Sequence, residues 1–395
     1  MGGDKISERT LRYRRRSTIV VGAKKQRCIP RKKQKTEYRP WADLHEDMLR
    51  IIKSKLCLSD QVRLSAVCKS WQLSGRPLMA MAYFSKHCYS AISPDPWDDS
   101  SDRDVTFACE IYDSYGGKIH KASYNISERG WPSFFYRWPE VCASKEGWLL
   151  IVDCAHTAGT VTFCNPFSNL VLSVPRLGHQ IDVATFSTIP TSSNCIIFVF
   201  YRSWGKTHLG TYRFGDKSWT KLIIAERKAA AEVLSMLYIE GVLYYVFEDG
   251  MLGCFSYSGK YCSVLTERFP KRDSKSSFVS YHLVEHREQI LLATADEDAN
   301  WCIFRYDESQ MKWIAGISLG KWALCVSSNS FVVQAVGDQV DLADCICYFD
   351  YETHDLKVYS LKDKQLKDPQ HKILTSSGTF DLKHDLTIWI EPPNI

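Results

Sequence analysis

The sequence feature that most constrains the fold is a β unit that recurs along the second part of the chain. Each copy contains an apolar strand, a turn, a second strand with aromatic residues, a polar turn and a third strand. A β unit repeated every ~40–55 residues is typical of the blades of a β-propeller. The clearest copies cover residues 195–222, 242–265, 290–317 and 345–366, with a further good copy at 148–174 and a weaker one at 107–124.

The spacing of these copies can be measured from the strand end that precedes each polar turn. The intervals between successive anchors are 49, 43, 49 and 55 residues. Asn165 is neither apolar nor aromatic, so the register of its copy is open. No stretch indicates a long helix, which disfavours parallel α/β folds. The anchors are Asn165, Phe214, Tyr257, Tyr306 and Leu361.

We therefore predict a mainly β protein with a small α module, in which three N-terminal helices precede a β-propeller of about six or seven blades. Residues 77–104 contain Pro94, Pro96 and an acidic run, a composition typical of a loop. The predicted organisation is a disordered basic tail at 1–39, the helical module at 40–76, a linker at 77–104 and the propeller at 105–395.

The formal net charge of +5 is distributed unevenly. Residues 1–39 hold 14 basic and 3 acidic residues, a local balance of +11, and the rest of the chain carries −6. A mildly acidic body excludes nucleic-acid binding spread over the whole protein. One basic cluster of the tail fits a nuclear-import signal, with a solvated tail or weak phosphate contact as alternatives. The residues of this cluster are Arg31, Lys32, Lys33 and Lys35.

The apolar runs and the cysteines indicate the compartment. No apolar run approaches the ~20 residues needed to span a bilayer, and the charged N-terminus lacks a signal-peptide pattern. The 15 cysteines are irregularly spaced, and Cys345 and Cys347 have the spacing of residues on one face of a strand. We expect a soluble protein of the nucleus, the cytoplasm or both, with no membrane partner and with cysteines that are buried hydrophobic residues rather than metal ligands.

Residues 41–76 have the pattern of a small helical module. Asp43 and Glu46 have capping-box spacing, Ser59 can cap a second helix, and a third short turn holds Trp71. A unit this small gains too little from apolar burial to fold alone, so it requires a partner or packing against the rest of the chain. The apolar stripe of the first helix contains Leu44, Met48, Ile51, Ile52 and Leu56.

The segment from Trp41 to Trp71 resembles an F-box, above all in its closing residues 67–71 (VCKSW). F-box proteins dock onto the Skp adaptor of Skp–cullin–F-box ubiquitin ligases, so the resemblance implies Skp, and through it cullin, as partners. Most F-boxes have proline where this chain has His45, and commonly another where it has Cys57. The resemblance implies that the Skp-binding surface, or the core beneath it, comprises Leu44, Met48, Leu49, Ile52, Leu56, Leu58, Val62, Leu64, Val67 and Trp71.

The C-terminal part resembles plant F-box proteins whose C-terminal region is known as domain of unknown function 295. The resemblance rests on Trp301–Asp307 (WCIFRYD), on the pair Lys312 and Trp313, on residues 345–350 (CICYFD) and on the end LTIWIEPP from Leu386. It implies a kelch-like β-propeller that acts as a platform for recruiting a target protein.

The sequence contains no signature of catalysis. The motifs G-x-S-x-G, H-E-x-x-H, G-x-x-x-x-G-K-[ST] and G-x-G-x-x-G do not occur. Residues 296–298 (DED) could bind a cation or form a solvated loop. We expect no enzyme activity, no cofactor and no bound metal.

Propeller loops are instead suited to protein recognition, in which exposed aromatic residues and arginine are the usual anchors. Packing between blades is the alternative role for each aromatic residue. The candidate target-binding residues are Trp131, Arg137, Trp138, Arg202 and Trp204.

These observations favour a substrate-recognition subunit of a Skp–cullin–F-box E3 ubiquitin ligase that recruits an unknown target protein with its propeller. The alternative is a propeller enzyme or small-ligand binder with a vestigial F-box, which the residues His45 and Cys57 favour. A third interpretation is a nuclear factor that contacts nucleic acid through its basic tail, although nucleic acid is not the partner we expect.

Overall fold

The structure is a computed structural model that describes residues 41–56, 64, 67–68, 71, 80–85, 103–113, 118–128, 140–152, 159–168, 170–225, 232–266, 278–328, 330–335, 337–350, 356–367 and 386–390. A 3-10 helix, Trp41–Asp43, precedes the helix α1, Glu46–Lys55. A second 3-10 helix covers Gly337–Leu342. Of the three helices predicted for the N-terminal module, α1 is described, and most of the segment assigned to the other two lies outside the described residues.

The strands of the described residues form six sheets. Sheet 1 contains, in spatial order, β25 (Leu386–Ile390), β1 (Ala80–Ser85), β2 (Arg103–Asp113) and β3 (Lys118–Glu128). Sheet 2 contains β4 (Glu140–Lys145), β5 (Trp148–Val152), β6 (Val161–Asn165) and β7 (Leu170–Val174). Sheet 3 contains β8 (Val183–Phe186), β9 (Ile196–Ser203), β10 (Lys206–Arg213) and β11 (Thr220–Ala225).

The remaining three sheets continue the series along the chain. Sheet 4 contains β12 (Val233–Ile239), β13 (Val242–Phe247), β14 (Leu252–Ser256) and β15 (Tyr261–Val264). Sheet 5 contains β16 (Phe278–His286), β17 (Gln289–Asp296), β18 (Trp301–Asp307) and β19 (Lys312–Ala315). Sheet 6 has the order β21 (Phe331–Gln334), β20 (Trp322–Val326), β22 (Cys345–Phe349), β23 (Leu356–Ser360) and β24 (Gln365–Lys367).

The sheets are arranged as the blades of a β-propeller. One strand of each sheet contacts the corresponding strand of its neighbour, in the pairs β25–β4, β4–β8, β8–β12, β12–β16 and β16–β21. Neighbouring strands within a sheet are antiparallel, with one described exception, the parallel pair β20–β22. The predicted mainly β propeller is thus confirmed.

Sheets 3–6 are each buried on both faces, because each contributes side chains to two cores. On β9, Ile197 and Val199 belong to the core shared with sheet 2, whereas Phe198 and Phe200 belong to the core shared with sheet 4. Successive side chains of a strand point to opposite faces, so a strand that serves two cores is apolar at consecutive positions. This double burial explains why the strands are continuous apolar runs rather than alternating patterns.

The C-terminal strand β25 joins the two ends of the propeller segment within sheet 1. It pairs antiparallel with β1, so that Ala80 lies opposite Ile390 and Phe84 opposite Leu386. The fully buried Trp389 belongs to the core of sheet 6, where its ring lies 5.3 Å from that of Phe349. β25 therefore connects sheet 6 to sheet 1 and closes the ring.

The alternation of strand direction assigns the hairpin turns of sheets 2–5 to one of two faces. We name the face at which β4, β8, β12 and β16 begin the upper face, and the opposite one the lower face. Each of these strands is followed by an antiparallel partner that runs back to the upper face. The turn after β9 and the turn after β13 therefore lie on the upper face, beside the residues that precede β8 and β12.

A polar turn after the penultimate strand of sheets 2–6 explains the repeat seen in the sequence. The side chain of Asn165 accepts hydrogen bonds from the amides of Phe167 and Ser168, and Asp307 accepts two in the same way. Asn165 is thus the last residue of its strand, in register with its counterparts, and its polar character follows from the turn. The strands end at Asn165, Arg213, Ser256, Asp307 and Ser360.

The structure also bears on two expectations. β1 lies within the segment predicted as a linker, 77–104, and forms an inner strand of sheet 1, so this part of the segment is not a loop. The sequence around β1 does not show that this strand pairs with two others, because one of its partner strands, β25, is at the other end of the chain. The acidic run at 296–298 lies at a turn in which the Asp296 carboxylate accepts hydrogen bonds from the amides of Asp298 and Asn300.

A histidine links sheets 5 and 6. Nδ1 of His282 lies 3.1 Å from the carbonyl oxygen of Ser327, and its ring lies against that of Trp301. A carbonyl oxygen only accepts hydrogen bonds, so Nδ1 carries the proton of the neutral ring. Burial lowers the pKa of His282 to about 4, because the charged imidazolium would lose its hydration.

We predict that Trp389→Ala lowers the free energy of unfolding by about 3–5 kcal/mol, because it leaves a cavity where the ring closes. The matched control is Trp204→Ala, the same truncation at a side chain that is 96% exposed, for which we expect a change within about 0.5 kcal/mol. Urea unfolding measures both. Equal effects of the two substitutions would contradict the closing role of Trp389.

We further predict a pH dependence that originates at His282. Because its pKa is about 4 in the folded protein and the ordinary pKa of histidine is 6.5, the unfolded chain binds the proton first as the pH falls. Stability is therefore lost between about pH 6.5 and pH 4, by at most about 1.4 kcal/mol per pH unit from this group. In the variant His282→Asn, the side-chain amide can still donate a hydrogen bond to Ser327. This substitution should make the melting temperature depend less on pH in that range. An unchanged profile, equal to that of the exposed control His45→Asn, would refute the assignment.

Candidate functional site

The helix α1 has two apolar sides, and they differ in exposure. Leu49 is 2% exposed, and Ile52, one turn further on, is half-buried. Met48 and Ile51 are 52% and 58% exposed. Residues three apart are neighbours on a helix surface, so Met48 and Ile51 form one apolar patch in water. We name these two residues the α1 patch.

The predicted Skp-binding residues fall into several groups. Met48 and Val67 are exposed, Leu49 is buried, and Leu58 and Val62 lie outside the described residues. Ile51 was part of the predicted apolar stripe but not of the predicted surface, because spacing alone does not show which side of an apolar helix faces the protein. The half-buried residues are Leu44, Ile52, Leu56, Leu64 and Trp71.

A second candidate surface lies on the upper face, where sheets 3 and 4 meet. The guanidinium group of Arg202 binds the carboxylate of Asp182 through two nitrogens, at 3.1 and 3.3 Å. Its third nitrogen lies 3.4 Å from a carboxylate oxygen of Glu232. Asp182 and Glu232 immediately precede the innermost strands β8 and β12. Arg202 therefore ties the upper ends of two neighbouring sheets together, and its pKa is raised mainly by the hydrogen bonds to Asp182.

Trp204 stands at the tip of the hairpin that Arg202 anchors. Trp204 and Gly205 form a two-residue turn with φ values of 52° and 69°. Positive φ at both central residues is the geometry of a type I′ turn, which matches the twist of a β-hairpin. The indole is 96% exposed. The sequence therefore places a large aromatic side chain in water, on a short and well-defined turn.

The strand below this turn is held by stacked rings. The ring of Tyr201 is nearly parallel to those of His179, at 4.6 Å, and His208, at 4.9 Å. Burial and the positive charge of Lys221 lower the pKa of His179, so its ring is neutral at neutral pH. These contacts give the end of β9 a rigid support.

Acidic residues surround the guanidinium group of Arg202. Glu248, in the upper turn between β13 and β14, is close enough to Arg202 to raise the pKa of that arginine. The pKa of Tyr281 on sheet 5 is raised mainly by burial and additionally by the negative charge of the next residue, Asp249. The carboxylates come from different sheets, and no sequence motif links them, which is why sequence reasoning found Arg202 and Trp204 but missed Asp182 and Glu232.

The other predicted site residues cannot be placed. The loop candidates Trp131, Arg137 and Trp138 and the basic cluster of Arg31, Lys32, Lys33 and Lys35 lie outside the described residues. The described residues contain no group of three or more His, Cys, Asp or Glu arranged for a metal ion. In the same part of the chain, no helix has the length and apolar character required to cross a membrane.

The fold defines a β-propeller protein that carries two exposed candidate surfaces. The KIB1-4 beta-propeller family matches residues 122–360, more than half of the chain, and the chain belongs to this family. It is similar to the F-box protein At3g56470 of Arabidopsis thaliana, with 28% identity over 327 residues that cover 80% of each chain. It is also similar to the F-box/kelch-repeat protein At1g57790 of the same plant, with 24% identity over 365 residues that cover 89% of this chain and 95% of that one.

Proposed function

We propose that this chain is the substrate-recognition subunit of a Skp–cullin–F-box ubiquitin ligase, with α1 in the adaptor-binding module and the propeller as the target-binding platform. The observation that carries the proposal is the exposed α1 patch on a helix preceding a propeller. Plant proteins named as F-box proteins match across both segments, since the alignment to one of them covers 89% of this chain. The chain would hold a target while other subunits of the ligase transfer ubiquitin, and it would itself be non-catalytic.

The proposal includes the finer organisation expected from the sequence. Residues 40–76 would form a three-helix F-box, and each of the six sheets of the described residues would be one blade. The β domain would correspond to domain of unknown function 295 and be kelch-like, which the names of two F-box/kelch-repeat relatives support. The basic tail at 1–39 would direct the protein to the nucleus, the cytoplasm or both.

The burial of Leu49 supports a specific division of labour within α1. A side chain that is 2% exposed contributes to the core of the protein, whereas the side chains of Met48 and Ile51 are exposed to solvent. Burying a large apolar side chain is worth ~1.5–3 kcal/mol, so two of them can supply a substantial part of an adaptor interface. His45 is not part of this patch, and Cys57 lies outside the described residues.

We predict that the double substitution Met48→Ala and Ile51→Ala weakens Skp capture at least about tenfold, because it removes two interface side chains. Pull-down of the full chain with purified Skp, quantified against Skp concentration, measures the effect. The melting temperature of the double variant should equal that of the unmodified protein, because both side chains are exposed.

The matched control is Tyr261→Ala with Val264→Ala, which truncates two exposed residues on the outermost strand β15. This control should bind Skp as the unmodified chain does. Undiminished Skp binding by the α1 variant, or equal losses in both variants, would contradict the proposed docking.

A further inference from the structure

We propose that the upper face around Trp204 captures the target, and that it selects a basic, Lys- or Arg-rich segment of the target protein. This inference rests on the proposed receptor function and adds to it the binding face and the chemistry of the partner. The Trp204 surface comprises Trp204, Arg202, Asp182, Glu232 and Glu248.

The first argument is the exposure of Trp204. Among the described strand tryptophans, Trp322 is half-buried and the others are buried between sheets, whereas Trp204 in its turn is 96% exposed. The buried ones are Trp148, Trp301, Trp313 and Trp389. A tryptophan held in water contributes nothing to the cores between the sheets. Tryptophan is also among the residue types most enriched in the anchors of protein interfaces. The exposed indole therefore indicates an interface.

The second argument comes from comparison with other turns of the same molecule. In the described part of the chain, three further two-residue hairpin turns have positive φ at both positions, and their first residues are Glu146, Glu240 and Arg287. Each is polar, in keeping with a solvent-exposed turn that Asn or Asp ordinarily begins. Trp204 occupies the equivalent position, although the turn itself gains nothing from an indole. This departure from the polar residues of the other turns lies at the tip of the Trp204 surface.

The third argument is preorganisation. The two nitrogens of Arg202 on Asp182 and the third near Glu232 hold the last residues of β9 against sheet 4. A bidentate arginine–carboxylate pair fixes both distance and orientation. The indole is therefore presented from a rigid hairpin, and a partner loses less conformational freedom on binding than it would on a mobile loop.

Charge determines which partner fits. Arg202 is bidentate on Asp182, and Glu232 and Glu248 add negative charge beside it. Lys206, directly after the Trp204–Gly205 turn, adds one positive charge, so the three carboxylates exceed the two cationic groups by one. This net negative charge attracts cationic side chains and repels polyanions such as nucleic acids. A lysine or arginine laid over the indole face would gain a cation–π interaction, for which tryptophan is the best ring. The occupant is thus a basic segment of a protein.

The two proposed partners use separate parts of the chain. The α1 patch precedes the first strand of the propeller, whereas Trp204 stands on a hairpin of sheet 3. No residue belongs to both surfaces, so the effect of a substitution in one surface can be measured without changing the other surface.

Fluorescence anisotropy with the full-length chain tests the proposal. The probe is a short fluorescein-labelled peptide of Lys, Arg, Gly and Leu, and its control is the same peptide with Glu in place of every Lys and Arg. We expect binding of the basic peptide only, weakened at least about tenfold by Trp204→Ala. Glu232→Gln with Glu248→Gln should weaken it and reduce its salt dependence. Tyr261→Ala, at an exposed aromatic residue of an outer strand, should leave it unchanged.

The outcomes separate this inference from the proposed function. No binding of the basic peptide, equal binding of both peptides, or full affinity in Trp204→Ala would overturn the Trp204 surface. Skp pull-down with the same proteins tests the proposed receptor function independently. Loss of peptide binding in Trp204→Ala with Skp capture retained is the expected result. Peptide binding in a chain that never captures Skp would overturn the receptor function and leave the surface standing.

Discussion

Burial of sheets 3–6 between two neighbours each is the constraint on which the rest of this structure depends. Consecutive side chains of β9 serve two different cores, so such a sheet keeps both apolar faces out of water only when both of its neighbours are in place. Completion of the ring requires β25, which pairs with β1 and carries Trp389 into the core of sheet 6. The two ends of the propeller segment are therefore held by the same strand, and the cores between the sheets depend on the closure.

A closed ring also determines where function can lie. The strands are occupied by core packing, so the side chains available to partners are those of the turns, of the outermost strands and of segments outside the ring. α1 belongs to the last group and exposes Met48 and Ile51, and the Trp204–Gly205 turn belongs to the first. The two surfaces that we propose for the adaptor and the target therefore lie on separate segments, one before the ring and one on a hairpin of sheet 3.

The sequence predicted the propeller and the helix because both have local signals. Continuous apolar strands mark the sheets, and the polar residue that caps the penultimate turn marks the period, which places Asn165 in register with Asp307. Contacts between distant segments have no such signal. The segment that contains β1 was therefore predicted as a linker, because its pairing with β25 has no local signal. Asp182 and Glu232 were missed as partners of Arg202 for the same reason. The period of α1 identified an apolar helix but not the side on which Leu49 is buried.

Site-specific photocrosslinking in a reconstituted complex of this chain, Skp and cullin tests the central claim most directly. A photoreactive residue at position 48, on the α1 patch, should crosslink to Skp. One at position 204, on the upper face of sheet 3, should crosslink to neither Skp nor cullin and remain available to an added basic peptide. A crosslink between position 204 and Skp, or none from position 48, would contradict a receptor that binds its adaptor and its target on separate surfaces.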